Sequence, residues 1–288
     1  MAFLLAIGSA VLYGAADFTG GLVTRRAGTI PVVILSQASG LILLALLLPL
    51  LPDASPSRAD LLWGGLAGLT GGIGVALLYR ALAIGVMAVV APTTAVCAVA
   101  IPVVVSLLLG ERPGPLAVAG MVLGIGSIVL VSQQSPAEQV EGGQAGSSPA
   151  RGSGVGTALA SGVMIGLFFL TLARTGPEAG MWPIVTARLA SVTLFAMIAI
   201  ARGVSLWMPA RMAGLALVCG VIDMVANALY LLAARQGPLS IVVTLSSLYP
   251  ASTVLLARIV LGERLNLVQT FGVGCALAAV VLIVSGGS

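Results

Sequence analysis

Ten long apolar segments follow one another along this chain, and they constrain its fold more than any other feature. Each is close to the roughly 20 residues with which an α-helix crosses a bilayer. Charges, prolines and glycine clusters separate segments 3–22, 30–50, 61–82, 86–109, 115–132, 154–173, 182–201, 212–234, 239–261 and 267–285. Only 8% of the residues are charged, against about 25% in soluble domains. We therefore expect an all-α integral membrane protein with ten transmembrane helices, because backbone groups in lipid must bond within their own segment.

One stretch of the chain is polar, SQQSPAEQVEGGQAGSSPARGSG at residues 132–154. Its content of glycine, serine, glutamine and proline is typical of a flexible linker. The linker divides the chain into a first five-helix repeat at 1–132, the linker itself at 133–153, and a second five-helix repeat at 154–288.

The two halves resemble each other when residue n is compared with residue n+152. The letters LGER occur at 109–112 and again at 261–264, and no gap is needed to extend the match. The matched pairs include Ser9 with Ser161, Gly28 with Gly180, Pro31 with Pro183, and Gly68 with Gly220. Five crossings separate equivalent points, so the repeats are inverted across the membrane. Inverted repeats with a binding site between them near the midplane are typical of secondary transporters.

The composition excludes several kinds of chemistry. All 13 basic residues are arginines and histidine is absent, which excludes a Schiff-base lysine, a histidine proton relay and histidine-ligated metals. We therefore expect no metal and no cofactor. We also expect no contact with nucleic acid, since the net charge is only +4. A membrane-embedded transferase, the alternative of another class, would need a base, a nucleophile or a metal near the interface, and no loop offers one. We therefore expect no enzyme.

Two acidic residues lie inside apolar segments, where ionisable groups are expensive and mark candidate functional sites. Asp17 lies in the first segment, with Tyr13 one turn earlier on the same face. Asp223 lies in the eighth, and Asn227 and Tyr230 follow it on one face. Either acid could bind an ammonium group, carry a coupling proton, or serve assembly alone. A carboxyl group shielded from water binds a proton more readily.

The fourth and ninth segments also carry polar residues. Thr94 and Ser246 match at the 152-residue offset, which would place their hydroxyls opposite each other. Pro102 and Pro250 each lie near the middle of their segment and predict a bend. Tyr249 could bind a ligand or pack between helices.

Two further features of the membrane segments are a glycine face in the third and an arginine in the seventh. Gly64, Gly68 and Gly72 form a small-residue face in the third segment, which favours close helix packing. Arg188, six residues into the seventh segment, could extend to the interface, pair with an acid, or bind an anion. We favour the first of these roles.

The sequence resembles the drug/metabolite transporter (DMT) superfamily, and within it the EamA-type transporters. The resemblance rests on the two five-helix repeats, on LLGER and VLGER closing the fourth helix of each half, on YGAADFTGG, and on Arg188 in TARLAS. It implies a pathway lined by the first, third and fourth helices of each half. It also implies export of amino acids, other metabolites or drugs, and the family includes importers as well.

Together these observations predict a secondary transporter that exports a small metabolite such as an amino acid by alternating access. The alternative within transport is a proton-coupled multidrug exporter. The candidate substrate-binding residues are Tyr13, Asp17, Thr94, Asp223, Asn227, Tyr230, Ser246 and Tyr249. The expected partners are a small-molecule substrate, the lipid bilayer and a coupling proton, and the chain is expected to be a monomer or weak homodimer.

We expect a bacterial inner (plasma) membrane protein. With an even number of helices, both termini lie on one side. Counting arginines in the loops by the positive-inside rule places the termini outside, whereas the family resemblance places them in the cytosol. We favour the cytosolic side.

Overall fold

The computed structural model describes residues 1–84, 87–131, 153–261 and 267–286, and all regular structure within these ranges is helical. The α-helices are α1 (Ala2–Ala27), α2 (Thr29–Leu47), α3 (Arg58–Ile84), α4 (Met87–Leu108), α5 (Pro115–Val131), α6 (Ser153–Leu172), α7 (Trp182–Arg202), α8 (Ala210–Ala234), α9 (Leu239–Ser246), α10 (Tyr249–Leu261) and α11 (Leu267–Gly286). Single 3₁₀ turns lie at Leu48–Leu50 and Pro177–Ala179.

These helices confirm the expected fold class. Five of them, α1, α2 with its 3₁₀ turn, α3, α7 and α8, are long and apolar enough to cross a membrane by length and composition. Nine of the ten predicted segments correspond to one helix each, with ends displaced by a few residues, and the ninth corresponds to α9 and α10. Residues 132–152, which hold nearly all of the predicted linker, lie outside the described residues, and the domain boundaries stay a prediction.

The ninth segment is broken, whereas the fourth is continuous through Pro102. α9 ends at Ser246, and α10 begins at Tyr249 with Pro250 as its second residue. Proline is tolerated in the first turn of a helix because the N–H that it lacks would have no intrahelical partner there. The predicted bend is thus a break at Pro250 and is not a break at Pro102.

Antiparallel helices give the bundle two ends. The terminal face holds Met1 and the connections at residues 51–57, 109–114, 173–181 and 235–238; the opposite face holds residue 28 and the connection at 203–209. Gly28 and Gly180, a matched pair of the repeat, both have positive φ (79° and 54°). Each lies just before the second helix of its half, where the left-handed backbone favours glycine.

The helices pack mainly between the repeats, and the packing is symmetric. α1 packs along α8 just as its counterpart α6 packs along α3, and α5 packs on α11. Hydrogen bonds follow the same symmetry: Ser9 Oγ donates to Ala226 O (2.9 Å), and Ser161 Oγ donates to Gly74 O (2.7 Å). Residues 74 and 226 are themselves 152 apart, so the matched serines make equivalent bonds across the two halves.

The glycine face of α3 packs as predicted. A Cβ on Gly68 would lie 2.0 Å from Ala187 O in α7, and one on Gly64 would lie 2.4 Å from Pro183 O. Gly220, the repeat counterpart of Gly68, meets Ser36 O of α2 in the same way, at 1.9 Å. The repeat therefore preserves glycine where two backbones touch.

The first LGER copy has a structural contact that the sequence did not indicate. Glu111 accepts hydrogen bonds from the backbone N–H groups of Leu239 (Oε1, 2.6 Å) and Ser240 (Oε2, 2.9 Å). A carboxylate at a helix N-terminus satisfies free N–H groups and interacts favourably with the helix dipole. Glu111 of the first repeat thus caps α9 of the second. Its counterpart Glu263 lies outside the described residues.

Candidate functional site

A cavity lies between the two repeats, with walls from both. Helices α1, α2 and α3 of the first repeat and α6, α7, α8 and α10 of the second contribute to its lining. It measures about 60 Å³, counted as the space open to the centres of water molecules, which is room for a few waters at roughly 10–15 Å³ each. The cavity therefore suits a small solute in this conformation.

One wall carries a buried ion pair. Arg188 Nη2 contacts Asp223 Oδ2 at 2.5 Å, and Arg188 Nη1 donates to Gln37 Oε1. Ser191 Oγ also donates to Gln37 Oε1 (3.1 Å), and Asn227 Nδ2 donates to Asp223 O (2.6 Å). The cluster joins α2, α7 and α8. Since Arg188 is only 5% exposed, our expectation that it extends to the interface was wrong, and it pairs with an acid.

Asp17 lines the same cavity but, unlike Asp223, is not paired with a basic side chain among the described residues. Within the described part of the chain, its carboxylate has no hydrogen-bond or ion-pair partner, and it interacts electrostatically with Asp223. Tyr249 of α10 also lines the cavity; it is 3% exposed, and its hydroxyl has no hydrogen-bond partner among the described residues. The buried Tyr249 hydroxyl is costly to leave without a partner, and Asp17, which is partly exposed, lines the same cavity. Both groups are therefore available to a ligand.

Aromatic side chains form another part of the wall. Tyr13 Oη donates to Asn227 Oδ1 (2.9 Å), and Tyr230 Oη donates to Phe169 O (2.8 Å). The ring of Phe169 lies edge-on to that of Tyr13, with centroids 6.0 Å apart, and 4.6 Å from that of Tyr230. These contacts join α1, α6 and α8 on the side of the cavity towards the terminal face.

The structure brings five of the eight predicted site residues together at the cavity: Tyr13, Asp17, Asp223, Asn227 and Tyr249. It places the other three, Thr94, Tyr230 and Ser246, outside the lining, each 0% exposed. Tyr230 packs behind Phe169. Whether any of the eight binds substrate stays a prediction.

Thr94 and Ser246 do not face each other across a pathway. Thr94 Oγ1 donates to Ala158 O (3.2 Å), and Ser246 Oγ donates to Ala6 O (3.5 Å). Residues 6 and 158 are again 152 apart, so this matched pair makes equivalent helix-packing bonds. Thr94 and Ser246 match between the repeats, and helix packing explains this match structurally.

Sequence reasoning missed Gln37, Ser191 and Phe169 as cavity residues. Gln37 carried a signal, because it follows Ser36, the position that matches Arg188 in the repeat. Phe169 carried another, since it occupies the position that matches Asp17. Both lie where the halves differ. Among the described residues, no group of three or more acidic or cysteine side chains could hold a metal ion.

An all-helical bundle of apolar spans in two inverted repeats, with a cavity between them that contains an ion pair, defines the class of polytopic membrane proteins that includes secondary transporters. The sequence model of the EamA-like transporter family matches residues 1–133 and 152–285. The chain therefore belongs to the EamA-like transporter family and is a transporter of the drug/metabolite superfamily type.

A solved crystal structure is similar to the chain with a TM-score of 0.74 and 19% identity, covering 99% of this chain and 97% of the other. At that identity the likeness shows the fold alone. No curated protein matches the chain significantly.

Proposed function

We propose that this protein exports a small metabolite by alternating access, with the cavity between the repeats as its binding site. The observation that carries the proposal is the lining of that cavity. It holds charged side chains from both repeats, and Asp17 and Tyr249 have polar atoms without partners among the described residues. Ionisable groups at membrane depth are retained where they act on a solute, a proton or each other.

The size of the cavity favours a small metabolite over a drug. Drug-sized ligands occupy pockets of roughly 300–1,000 Å³, whereas this cavity offers about 60 Å³. A multidrug exporter would need a much larger opening between the repeats than this conformation has. The resemblance adds amino acids to the candidate metabolites.

The remaining parts of the proposal concern energy, assembly and location. Asp17 is the candidate carrier of a coupling proton, because a carboxyl group without a partner can be neutralised by one. The assembly that we propose is a monomer or a weak homodimer. The apolar helices support residence in a bilayer, and we propose a bacterial inner membrane with both termini in the cytosol.

The function is tested by efflux and reconstitution. Cells that overproduce the protein are screened against amino acids and drugs, and accumulated solutes are then assayed for uptake into proteoliposomes. We expect saturable transport by the wild type and at least about a tenfold loss in Asp17→Asn and in Asp223→Asn, the size expected when a hydrogen bond to a charged group is removed. Wild-type rates in both variants, with unchanged pH dependence, would contradict the site.

A further inference from the structure

We propose that the solute is a cationic amine whose ammonium group binds between the Asp17 carboxylate and the Tyr249 hydroxyl, and that the cavity discriminates against a carboxylate on the same solute. This inference rests on the proposed function and sharpens it, because it separates simple amines from amino acids. It depends on three properties of the cavity: its charge, its unpartnered groups and its aromatic rings.

The charge of the cavity is the first property. Among the described lining residues, the acidic and basic side chains are Asp17, Asp223 and Arg188. Arg188 is compensated by Asp223 at 2.5 Å and also bonds to Gln37. In its ionised form, Asp17 therefore carries a negative charge that no basic side chain of the described lining offsets. A shielded charge without a partner is expensive, and a cationic solute would offset that cost.

The polar groups of the cavity that have no partner among the described residues suit an ammonium group. An ammonium carries three N–H donors and no acceptor. Asp17 offers carboxylate oxygens, which only accept, and Tyr249 offers a hydroxyl oxygen that can also accept. Since the Tyr249 hydroxyl is buried and has no partner within the described residues, a donor from a bound solute would satisfy it.

Aromatic rings support the same ligand class independently. Tyr13, Phe168 and Phe169 all line the cavity, and aromatic faces attract cations through the ring quadrupole. The contribution of such contacts grows when the cation is shielded from water. Rings favour an amine over a neutral polar solute of the same size.

A zwitterionic amino acid meets an obstacle in this cavity. Its carboxylate would need a cation, and the guanidinium of Arg188 is already held by Asp223 and Gln37. To bind there, the solute would have to displace the Asp223 carboxylate and leave it uncompensated beside Asp17. Removing one partner of a buried pair is costly. Loss of the solute carboxylate should therefore strengthen binding.

The test uses solutes that differ only by a carboxylate. Glycine is compared with methylamine, and alanine with ethylamine, at pH 7, where an aliphatic amine with a pKa of about 10 is protonated. Titration calorimetry on the purified full-length protein measures binding. Counterflow in proteoliposomes measures transport, with protein-free liposomes as the control for passive entry of the neutral amine.

We expect each amine to bind at least about tenfold more tightly than its amino acid. Asp17→Asn should lose about tenfold or more of amine affinity, the effect of removing a charge-assisted hydrogen bond, and Tyr249→Phe should lose about threefold to tenfold. Asp53→Asn is the matched control, because Asp53 is exposed in a connection and lies outside the cavity. It should bind as the wild type does.

The outcomes separate the inference from the proposed function. If an amino acid binds and is transported as well as its amine, or if the amines bind equally to Asp17→Asn, the inference is overturned and the transporter stands. Transport of neutral or anionic metabolites without amine binding would also overturn the inference and leave the proposed transporter standing. If no solute of any class enters proteoliposomes faster than it enters protein-free liposomes, both proposals fail.

Discussion

Asp17 and Asp223 lie in the same cavity, yet their surroundings differ. Asp223 is held by Arg188 at 2.5 Å, whereas Asp17 has no partner among the described residues. The sequence indicated both acids, because acids are rare in apolar segments. It could not indicate their difference, which depends on which helices touch. Arg188 lies 35 residues before its partner, and only the fold, which packs both α7 and α8 on α2, shows the pair.

The two acids should therefore affect stability in opposite directions. Asp223→Asn leaves the Arg188 charge without compensation and should destabilise the protein by roughly 3–5 kcal/mol. Asp17→Asn removes a carboxyl group that has no hydrogen-bond or ion-pair partner among the described residues, and it should be neutral or stabilising. Thermal unfolding of both purified variants in detergent checks this prediction. Equal destabilisation by both substitutions would show that Asp17 has a structural partner.

At the scale of the helices, the sequence predicted the ten segments well because hydropathy and chain breaks determine them. It treated Pro102 and Pro250 alike, however, and only the second marks a break. The repeat also gave two kinds of signal. Matched residues such as Ser9 with Ser161 make equivalent packing bonds, whereas unmatched positions such as Asp17 and Arg188 supply the charged groups of the cavity.

The close packing of α3 against α7 can be tested by adding a single methyl group at the contact. Gly68→Ala would place a Cβ 2.0 Å from Ala187 O, so the helices must separate, at a cost of roughly 1–3 kcal/mol. Gly65→Ala is the matched control, since no atom lies within 4 Å of its added Cβ. It should be neutral, or stabilising by up to about 1 kcal/mol through helix propensity. Thermal unfolding compares the two; equal effects would contradict the close crossing.

The cap on α9 gives a second prediction for the helices. Glu111→Ala removes the acceptor for the N–H groups of Leu239 and Ser240 and should cost roughly 0.5–2 kcal/mol, as other helix caps do. Arg112→Ala, at the exposed neighbouring position, should change stability by less than about 0.5 kcal/mol. Hydrogen exchange followed by mass spectrometry should show faster exchange in peptides that cover α9 in Glu111→Ala alone. Unchanged exchange there would exclude the cap.

At the scale of the whole molecule, backbone and side-chain bonds join the repeats at the terminal face. Ser55 N–H donates to Glu178 O (2.9 Å), and Gly176 N–H donates to Asp60 Oδ1 (2.7 Å). Asp60 also accepts from Ser57 at the start of α3. These bonds hold the two repeats together at the terminal face in this conformation. The inverted repeat was readable from the 152-residue offset, but these contacts were not, because the residues that make them do not match between the halves.

Labelling of single cysteines can determine which face of the molecule lies in the cytosol. Single cysteines placed at exposed positions 53 and 205, in a background without the native cysteines, should react from opposite sides of intact cells. We expect position 205 to react with an impermeant reagent, since the termini and residue 53 are proposed to face the cytosol. Labelling of position 53 instead would reverse the orientation, and labelling of both would contradict the topology.

The central claim is that a solute crosses when the two repeats separate at one face and then at the other. A disulfide between Ser55→Cys and Glu178→Cys, whose backbones already meet at 2.9 Å, would hold the terminal face closed. Uptake of the identified solute into proteoliposomes is measured after oxidation and after reduction, with Ser55→Cys alone as the control. We predict that oxidation stops transport in the double variant only and that reduction restores it; full transport by the cross-linked protein would contradict alternating access at this face.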